Sequence, residues 1–149
     1  MAERKENLQR LGVGVIVENN LFPGRILVKK ESQKDPSSGK EVNTYSIPAG
    51  FARGGESLIE AGIREVFEET GYSGVRICRF LGIYQVDSAV VAVFVGIAEG
   101  EAQGTCWKSP HEIVNGDCVL APGMREMLID YANHISYPLE IYHDLRNQT

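Results

Sequence analysis

The chain has 149 residues, of which 43% are hydrophobic, and a formal net charge of -5 at pH 7. This length and composition suit one compact domain over residues 1–149, with residues 1–10 as an arm, and need neither disulfides nor a structural metal. The negative charge disfavours nucleic-acid partners, and the absence of a long apolar segment or signal-like start excludes membrane spans, so we expect a soluble, cytoplasmic protein.

Several segments have the β-branched and aromatic content that is typical of strands, and each is bounded by turn residues. These predicted strands are Leu11–Glu18, Arg25–Lys30, Asn43–Ile47, Val75–Asp87 and Ala89–Ala98. The last is almost continuously apolar, which predicts a strand that is buried on both faces. The run SQKDPSSGKE over Ser32–Glu41 predicts a hairpin tip.

Two segments, Leu58–Thr70 and Pro122–Asn133, have the period of an α-helix. Ser57 and Glu60 have the spacing of a capping box at the start of the first helix, and Gly71 suits the left-handed residue that ends one. Strands with interspersed helices predict an α/β (α+β) fold, a mixed β-sheet sandwiched between α-helices. The tail, residues 135–149, has no assigned structure.

The first predicted helix has an apolar face and a carboxylate face. At about 100° per residue, the helix projects Ile59, Ile63, Val66 and Thr70 onto one side, and Glu65, Glu68 and Glu69 onto roughly the opposite side. Like charges at this spacing repel by about 0.2–0.5 kcal/mol per pair in an isolated helix, so the glutamates need water or a cation beside them. A solvated acidic surface is the alternative interpretation, and the sequence around the helix decides between the two.

The glutamates belong to a longer pattern that begins at Gly50. The pattern runs Gly50, five residues, Glu56, seven residues, Arg64-Glu65-Val66, Phe67, Glu68-Glu69, Thr70, Gly71-Tyr72. It resembles the box of the Nudix family, G-x5-E-x7-R-E-U-x-E-E-x-G-U, where U is a bulky apolar residue. Every fixed position matches, and Tyr72 departs only in being aromatic. The resemblance implies metal-dependent hydrolysis of a phosphoanhydride bond in a nucleoside-diphosphate-linked substrate.

Carboxylate oxygens are hard ligands that suit Mg²⁺ or Mn²⁺. The predicted metal ligands are Glu56, Glu65, Glu68 and Glu69, and the resemblance implies the Gly50 carbonyl as a further ligand. Glu68 or Glu69 is predicted to take the proton of the attacking water, while Arg64 orients a carboxylate through its planar guanidinium. Some family members use a later glutamate as the base, for which Glu99 and Glu101 are the candidates.

Binding of a nucleobase requires groups close to this helix. Phe51 and Tyr45 flank the start of the box and are the predicted substrate-binding aromatic residues, with Glu101 as a further candidate. Arg25, Lys29 and Lys30 are able to hold phosphates or to form a solvated strand edge.

The predicted partner is a small-molecule nucleotide derivative, and the box does not choose among nucleotide sugars, ADP-ribose, dinucleoside polyphosphates, oxidised nucleotides and coenzymes. We expect no membrane or nucleic-acid partner, and a homodimer is compatible with the sequence. The alternative function is a catalytically silent Nudix-fold nucleotide-binding sensor or regulator, which the intact box disfavours.

Overall fold

The structure, a computed structural model, describes residues 10–116 and 118–146. The predicted arm therefore lies outside the described residues except for Arg10. The elements in chain order are β1 (Arg10–Glu18), β2 (Ile26–Lys34), β3 (Glu41–Ser46), β4 (Ala49–Phe51), α1 (Leu58–Thr70), β5 (Arg76–Val86), β6 (Ala89–Ile97), β7 (Cys106–Lys108), α2 (Pro110–Asn115), β8 (Val119–Leu120), α3 (Met124–Ala132), β9 (Tyr137–Pro138) and a 3₁₀ turn (Leu139–Ile141).

The strands form two sheets of mixed direction. One has the order β4-β1-β6-β5-β9, and the other has the order β7-β2-β3-β8. β1 pairs in parallel with β6 along its whole length and antiparallel with β4. The predicted α+β class is confirmed. The strands divide between two sheets because β2 and β3 pair with the short strands β7 and β8 rather than with β1.

The five-stranded sheet lies between helices, as the sequence predicts. Val13 and Val15 of β1 belong to the same core cluster as residues of α1, and a Cβ on Gly62 of that helix would lie 2.9 Å from Val15 Cγ2. Ile16 points to the other face, where it shares a second cluster with Met124 and Leu128 of α3. The central strand is therefore covered on both sides.

The predicted elements are present with shifted ends. β2 continues to Lys34 and β3 begins at Glu41, so the hairpin tip is shorter than predicted. The second predicted helix begins two residues late, at Met124, because Gly123 has a φ of 80° and starts the helix from a turn. β6 is fully buried from Ala92 to Gly96, which confirms its prediction.

The elements that the sequence did not predict are short. β4, β7, β8 and β9 have only two or three residues, too few to show a strand period, and α2 has six. The unassigned tail contains β9, which pairs with β5, and the 3₁₀ turn. Within the described ranges, no helix has the length and apolarity required to cross a membrane.

Candidate active site

β4 and α1 meet at Gly50, the first residue of the box. The N-cap of α1 is Ser57, whose side chain accepts a hydrogen bond from Glu60 N at 3.0 Å. Its C-cap is Gly71, which has the left-handed conformation that the sequence predicts. A Cβ on Gly50 would lie 2.2 Å from Glu65 Cδ. Only glycine therefore lets the helix carboxylate lie directly against the strand in this arrangement.

Arg64 is the centre of the carboxylate cluster. Its Nε donates to Glu56 at 2.6 Å, and its Nη1 donates to Glu65 at 2.8 Å and to Glu68 at 3.1 Å. Its Nη2 donates to the Phe51 carbonyl at 3.1 Å, which links the helix to β4. The Arg64 side chain is only 16% exposed. One guanidinium therefore orients three glutamates, whereas the sequence predicts that Arg64 orients only one carboxylate.

The carboxylate face is less open than the helical projection predicts. The Glu65 side chain is 12% exposed, whereas Glu68 is 43% exposed. The projection was inaccurate because Ala61 and Gly62 are also buried, so the buried face of α1 lies closer to the glutamates than the apolar residues alone indicate. Glu65 and Glu69 therefore lie toward β4 rather than opposite the core.

Two carboxylates of the cluster differ sharply in proton affinity. Hydrogen bonds from Arg64 lower the pKa of Glu56 to about 2. Burial raises the pKa of Glu69 to about 7; the positive charge of Lys29 opposes this rise, and the Glu65 carboxylate adds to it. Glu56 therefore stays ionised at neutral pH, whereas Glu69 exchanges its proton near neutrality.

A cavity of about 300 Å³ adjoins Gly50. Its lining includes Phe51 and Ser46 from the strands, and Met124 and Met127 from α3. Every side chain that lines it is uncharged, and the ring of Phe51 is 41% exposed. The cavity is thus an apolar recess directly beside the carboxylate cluster.

The family model of the NUDIX domain matches the sequence over residues 8–128, which is most of the chain. The chain belongs to the Nudix family. Its complete box and this membership make it a Nudix-type pyrophosphohydrolase, as the sequence predicts.

Individual relatives agree with this assignment. A protein of Bacillus subtilis (strain 168), which is provisionally named an 8-oxo-dGTP diphosphatase, is 29% identical over 104 residues, which are 63% of this chain and 67% of the relative. A solved NUDIX hydrolase from Nitrosomonas europaea has a TM-score of 0.68 at 23% identity, with 91% of this chain and 96% of that chain covered. A mutT/nudix family protein from Listeria innocua has a TM-score of 0.64 at 20% identity, with 86% and 94% covered. The two structures support the fold.

The donor set of the Nudix site has the chemistry that a hard divalent cation requires, because its glutamates and the Gly50 carbonyl offer only oxygen. Within the described residues, no three acidic, histidine or cysteine side chains are arranged so that they could hold a metal ion. The reason is that Arg64 draws Glu56, Glu65 and Glu68 toward its own guanidinium. The side-chain contacts of Arg64 to the box glutamates are with Glu56, Glu65 and Glu68 and do not include Glu69, within the described part of the chain.

Two predicted substrate residues lie away from Gly50. Tyr45 precedes Ser46 on β3 and therefore points to the opposite face, where it lines a separate cavity of about 350 Å³. Glu101 follows Gly100, whose carbonyl accepts a hydrogen bond from Asn19 at 2.8 Å just beyond the far end of β1. The structure brings only Phe51 of the three substrate candidates to the carboxylate cluster.

Lys29 lies on the cleft side of β2. Its charge acts on Glu69 and Glu65, and its Nζ pairs with Glu31 at 3.0 Å. Met124 and Met127, which line the cavity beside Gly50, were not predicted to be part of the site. Their helical spacing in the sequence indicates only a face that packs in the core.

Replacing Gly50 by alanine is expected to displace the Glu65 carboxylate, because the new Cβ would overlap Glu65 Cδ. A misplacement of this size is expected to lower turnover by about a hundredfold. The melting temperature should change little, since the end of a flexible side chain is able to move aside. Gly54→Ala is the matched control, because a Cβ there meets open space. Equal turnover in both variants would contradict the role of this contact.

Proposed function

We propose that the protein is a metal-dependent hydrolase that cleaves a phosphoanhydride bond in a nucleoside-diphosphate-linked substrate by attack of an activated water. The observation that carries the proposal is the packing of Glu65 on Gly50 beside Arg64, next to an apolar cavity. Mg²⁺ or Mn²⁺ is the proposed cofactor.

The proposed metal ligands are Glu56, Glu65, Glu68, Glu69 and the Gly50 carbonyl. When bound, the cation neutralises diphosphate charge and makes water more acidic. The contacts of Arg64 restrict the rotamers of three of these glutamates before any ligand arrives. In the metal-free protein these contacts hold the three glutamates close together around Arg64, and binding of the cation would have to replace some of them.

Glu69 is the proposed proton acceptor for the attacking water. It is partly buried, and the Glu65 carboxylate raises its pKa while the Ala49 amide lowers it. A partly buried carboxylate binds a proton more readily than an exposed one, which suits a general base near neutral pH. Glu68 is more exposed and is paired with Arg64, so it remains the second candidate.

The cavity beside Gly50 is the proposed nucleobase site. Its volume lies at the lower end of the range of small-molecule sites, about 300–1,000 Å³. The Arg10 guanidinium lies over the Phe51 ring, 3.5 Å from its centroid, so a stacked base would use the other face of the ring or replace Arg10. Lys29 lies on the cleft side for the phosphates. Because the relative from Bacillus subtilis is named for 8-oxo-dGTP, that nucleotide is the first substrate to test, followed by nucleotide sugars and ADP-ribose.

A thermal-shift titration tests whether the cation binds at these residues. Saturation of the parent with Mg²⁺ at about 100 Kd should add roughly 2.7 kcal/mol of stability. Neutralising Glu65, Glu68 and Glu69 together as glutamine should abolish this shift and leave the metal-free melting temperature unchanged or raised, because repulsion and ligation disappear together. An undiminished Mg²⁺ shift in the triple variant would mean that the cation binds elsewhere.

In the same metal-free samples, the free energy of unfolding should depend on pH in a way that reports on Glu69. The pKa of Glu69 rises from its ordinary value of 4.5 to about 7 on folding, so the folded chain binds more protons than the unfolded chain within that window. Stability in the parent should therefore fall as pH rises from 4.5 to 7, and the triple variant should lose this part of the slope. Identical slopes would contradict the burial of an ionisable Glu69.

A further inference from the structure

The C-terminal segment, residues 137–146, is anchored in the core beside the start of α1. The Tyr142 ring packs edge-on against the fully buried Phe94, with ring centroids 5.7 Å apart. Its hydroxyl accepts a hydrogen bond from Leu58 N at 3.0 Å. Amides in the first turn of a helix have no partner within the helix, so this hydroxyl replaces a missing acceptor. Tyr142 thereby ties the first residue of α1 to the core.

A second contact lies at the end of the segment. Arg146 Nη1 donates to the Gly55 carbonyl, and Nη2 donates to Glu60 at 2.5 Å. Asp144 also pairs with Arg146, through Nε at 2.8 Å and Nη2 at 2.7 Å. Two carboxylates therefore hold the guanidinium while it bonds to the backbone of the turn before α1.

The turn that receives these contacts is intrinsically loose. It contains Gly54 and Gly55, a Cβ on either would meet open space, and Gly55 has a φ of 85°. Paired glycines increase the conformational freedom that folding must remove. The contacts to Gly55 and Leu58 lie on the two sides of Glu56 in the sequence, and Glu56 is the box glutamate that comes from the turn rather than from the helix.

We propose that residues 137–146 form a brace that holds this turn, and with it Glu56, in place, and that Tyr142 and Arg146 are positioning residues. The brace acts through Glu56, which accepts a hydrogen bond from Arg64 Nε at 2.6 Å. Its consequence for the metal rests on the proposed function, whereas its effect on the turn does not. Loosening the brace should therefore weaken the cation site without altering any of its ligands.

Amide hydrogen exchange of the metal-free, full-length protein tests the brace directly. Tyr142→Phe removes only the hydroxyl, and Arg146→Ala removes the second contact. Each should speed exchange across residues 54–58 by about tenfold or more relative to the core strands. Tyr137→Phe is the matched control, because this tyrosine lies on the same segment but packs against Phe80 of β5. Its exchange across the turn should equal that of the parent.

A Mg²⁺ thermal-shift titration of the same variants gives the second measurement. The Mg²⁺ midpoint should rise several-fold in Tyr142→Phe and Arg146→Ala and stay unchanged in Tyr137→Phe. If the contacts only stabilised the fold, their loss would lower the melting temperature. The Mg²⁺ midpoint, and the exchange of residues 54–58 relative to the core strands, would then stay as in the parent.

Unchanged exchange across residues 54–58 in both variants would overturn the brace. Faster exchange with an unchanged midpoint would overturn its role in positioning Glu56. A parent that shows no Mg²⁺ response would refute the proposed metal site instead, while the exchange result would still decide whether the segment holds the turn.

Discussion

Glu69→Gln and Glu68→Gln are each expected to lower turnover by at least about a hundredfold, because each change removes a proposed ligand or base. The fold should survive in both variants. Glu68 is 43% exposed, and Glu69 lies at the edge of the cluster rather than in the hydrophobic core, so little apolar packing is lost. Steady-state rates at saturating Mg²⁺, with circular dichroism as the folding check, measure this effect.

Two further glutamine variants make the comparison specific. Glu126→Gln changes an exposed glutamate of α3 and should leave turnover close to that of the parent. Glu101→Gln tests one of the two later glutamates, Glu99 and Glu101, that are the alternative candidates for the base, and the position of Glu101 beyond the far end of β1 predicts a small effect. Near-parental turnover in both Glu68→Gln and Glu69→Gln, with a large loss in Glu101→Gln, would move the general base to the later loop.

Removal of divalent cations should abolish turnover reversibly. The proposed site has only hard oxygen donors, and the single positive charge of Arg64 is shared among Glu56, Glu65 and Glu68. Excess chelator should therefore stop the reaction, and added Mg²⁺ or Mn²⁺ should restore it. Ca²⁺ should fail to restore it, because its larger and more flexible coordination misplaces the attacking water.

Binding of the cation should also be visible at the Arg64 side chain. A cation that binds the cluster has to draw carboxylates away from this guanidinium, so Mg²⁺ should change the environment of the Arg64 side chain. Rates in chelator that match those in Mg²⁺ would refute a catalytic cation, and restoration by Ca²⁺ as effective as that by Mg²⁺ would argue against the coordination proposed here.

Helix α1 was predictable because its signals are local. The cap at Ser57, the left-handed Gly71 and the spacing of the glutamates all lie within one segment, and α1 begins and ends where they indicate. The orientation of the helix was less predictable. Ala61 and Gly62 carry little apolar surface, yet their small size lets α1 approach β1 closely, so they are fully buried.

Contacts between distant parts of the chain had no local signal. The hydroxyl of Tyr142 reaches Leu58 across 84 residues, and Arg146 reaches Gly55 across 91 residues. Neither residue belongs to a periodic pattern or a recognisable motif, so the tail could not be assigned from the sequence. Tyr45 illustrates the same limit, since proximity to the box along the chain does not determine which face of β3 a side chain occupies.

Product analysis in oxygen-18 water tests the central claim most directly. The parent protein would be incubated with 8-oxo-dGTP, dGTP, ADP-ribose and nucleotide sugars, with Mg²⁺ or with chelator, and the products would be identified by mass. We predict that at least one substrate is split at a phosphoanhydride bond only when the cation is present, and that water oxygen enters just one of the two phosphate products. Nucleotide binding without any cleaved product across the panel would contradict the hydrolase and would favour a sensor.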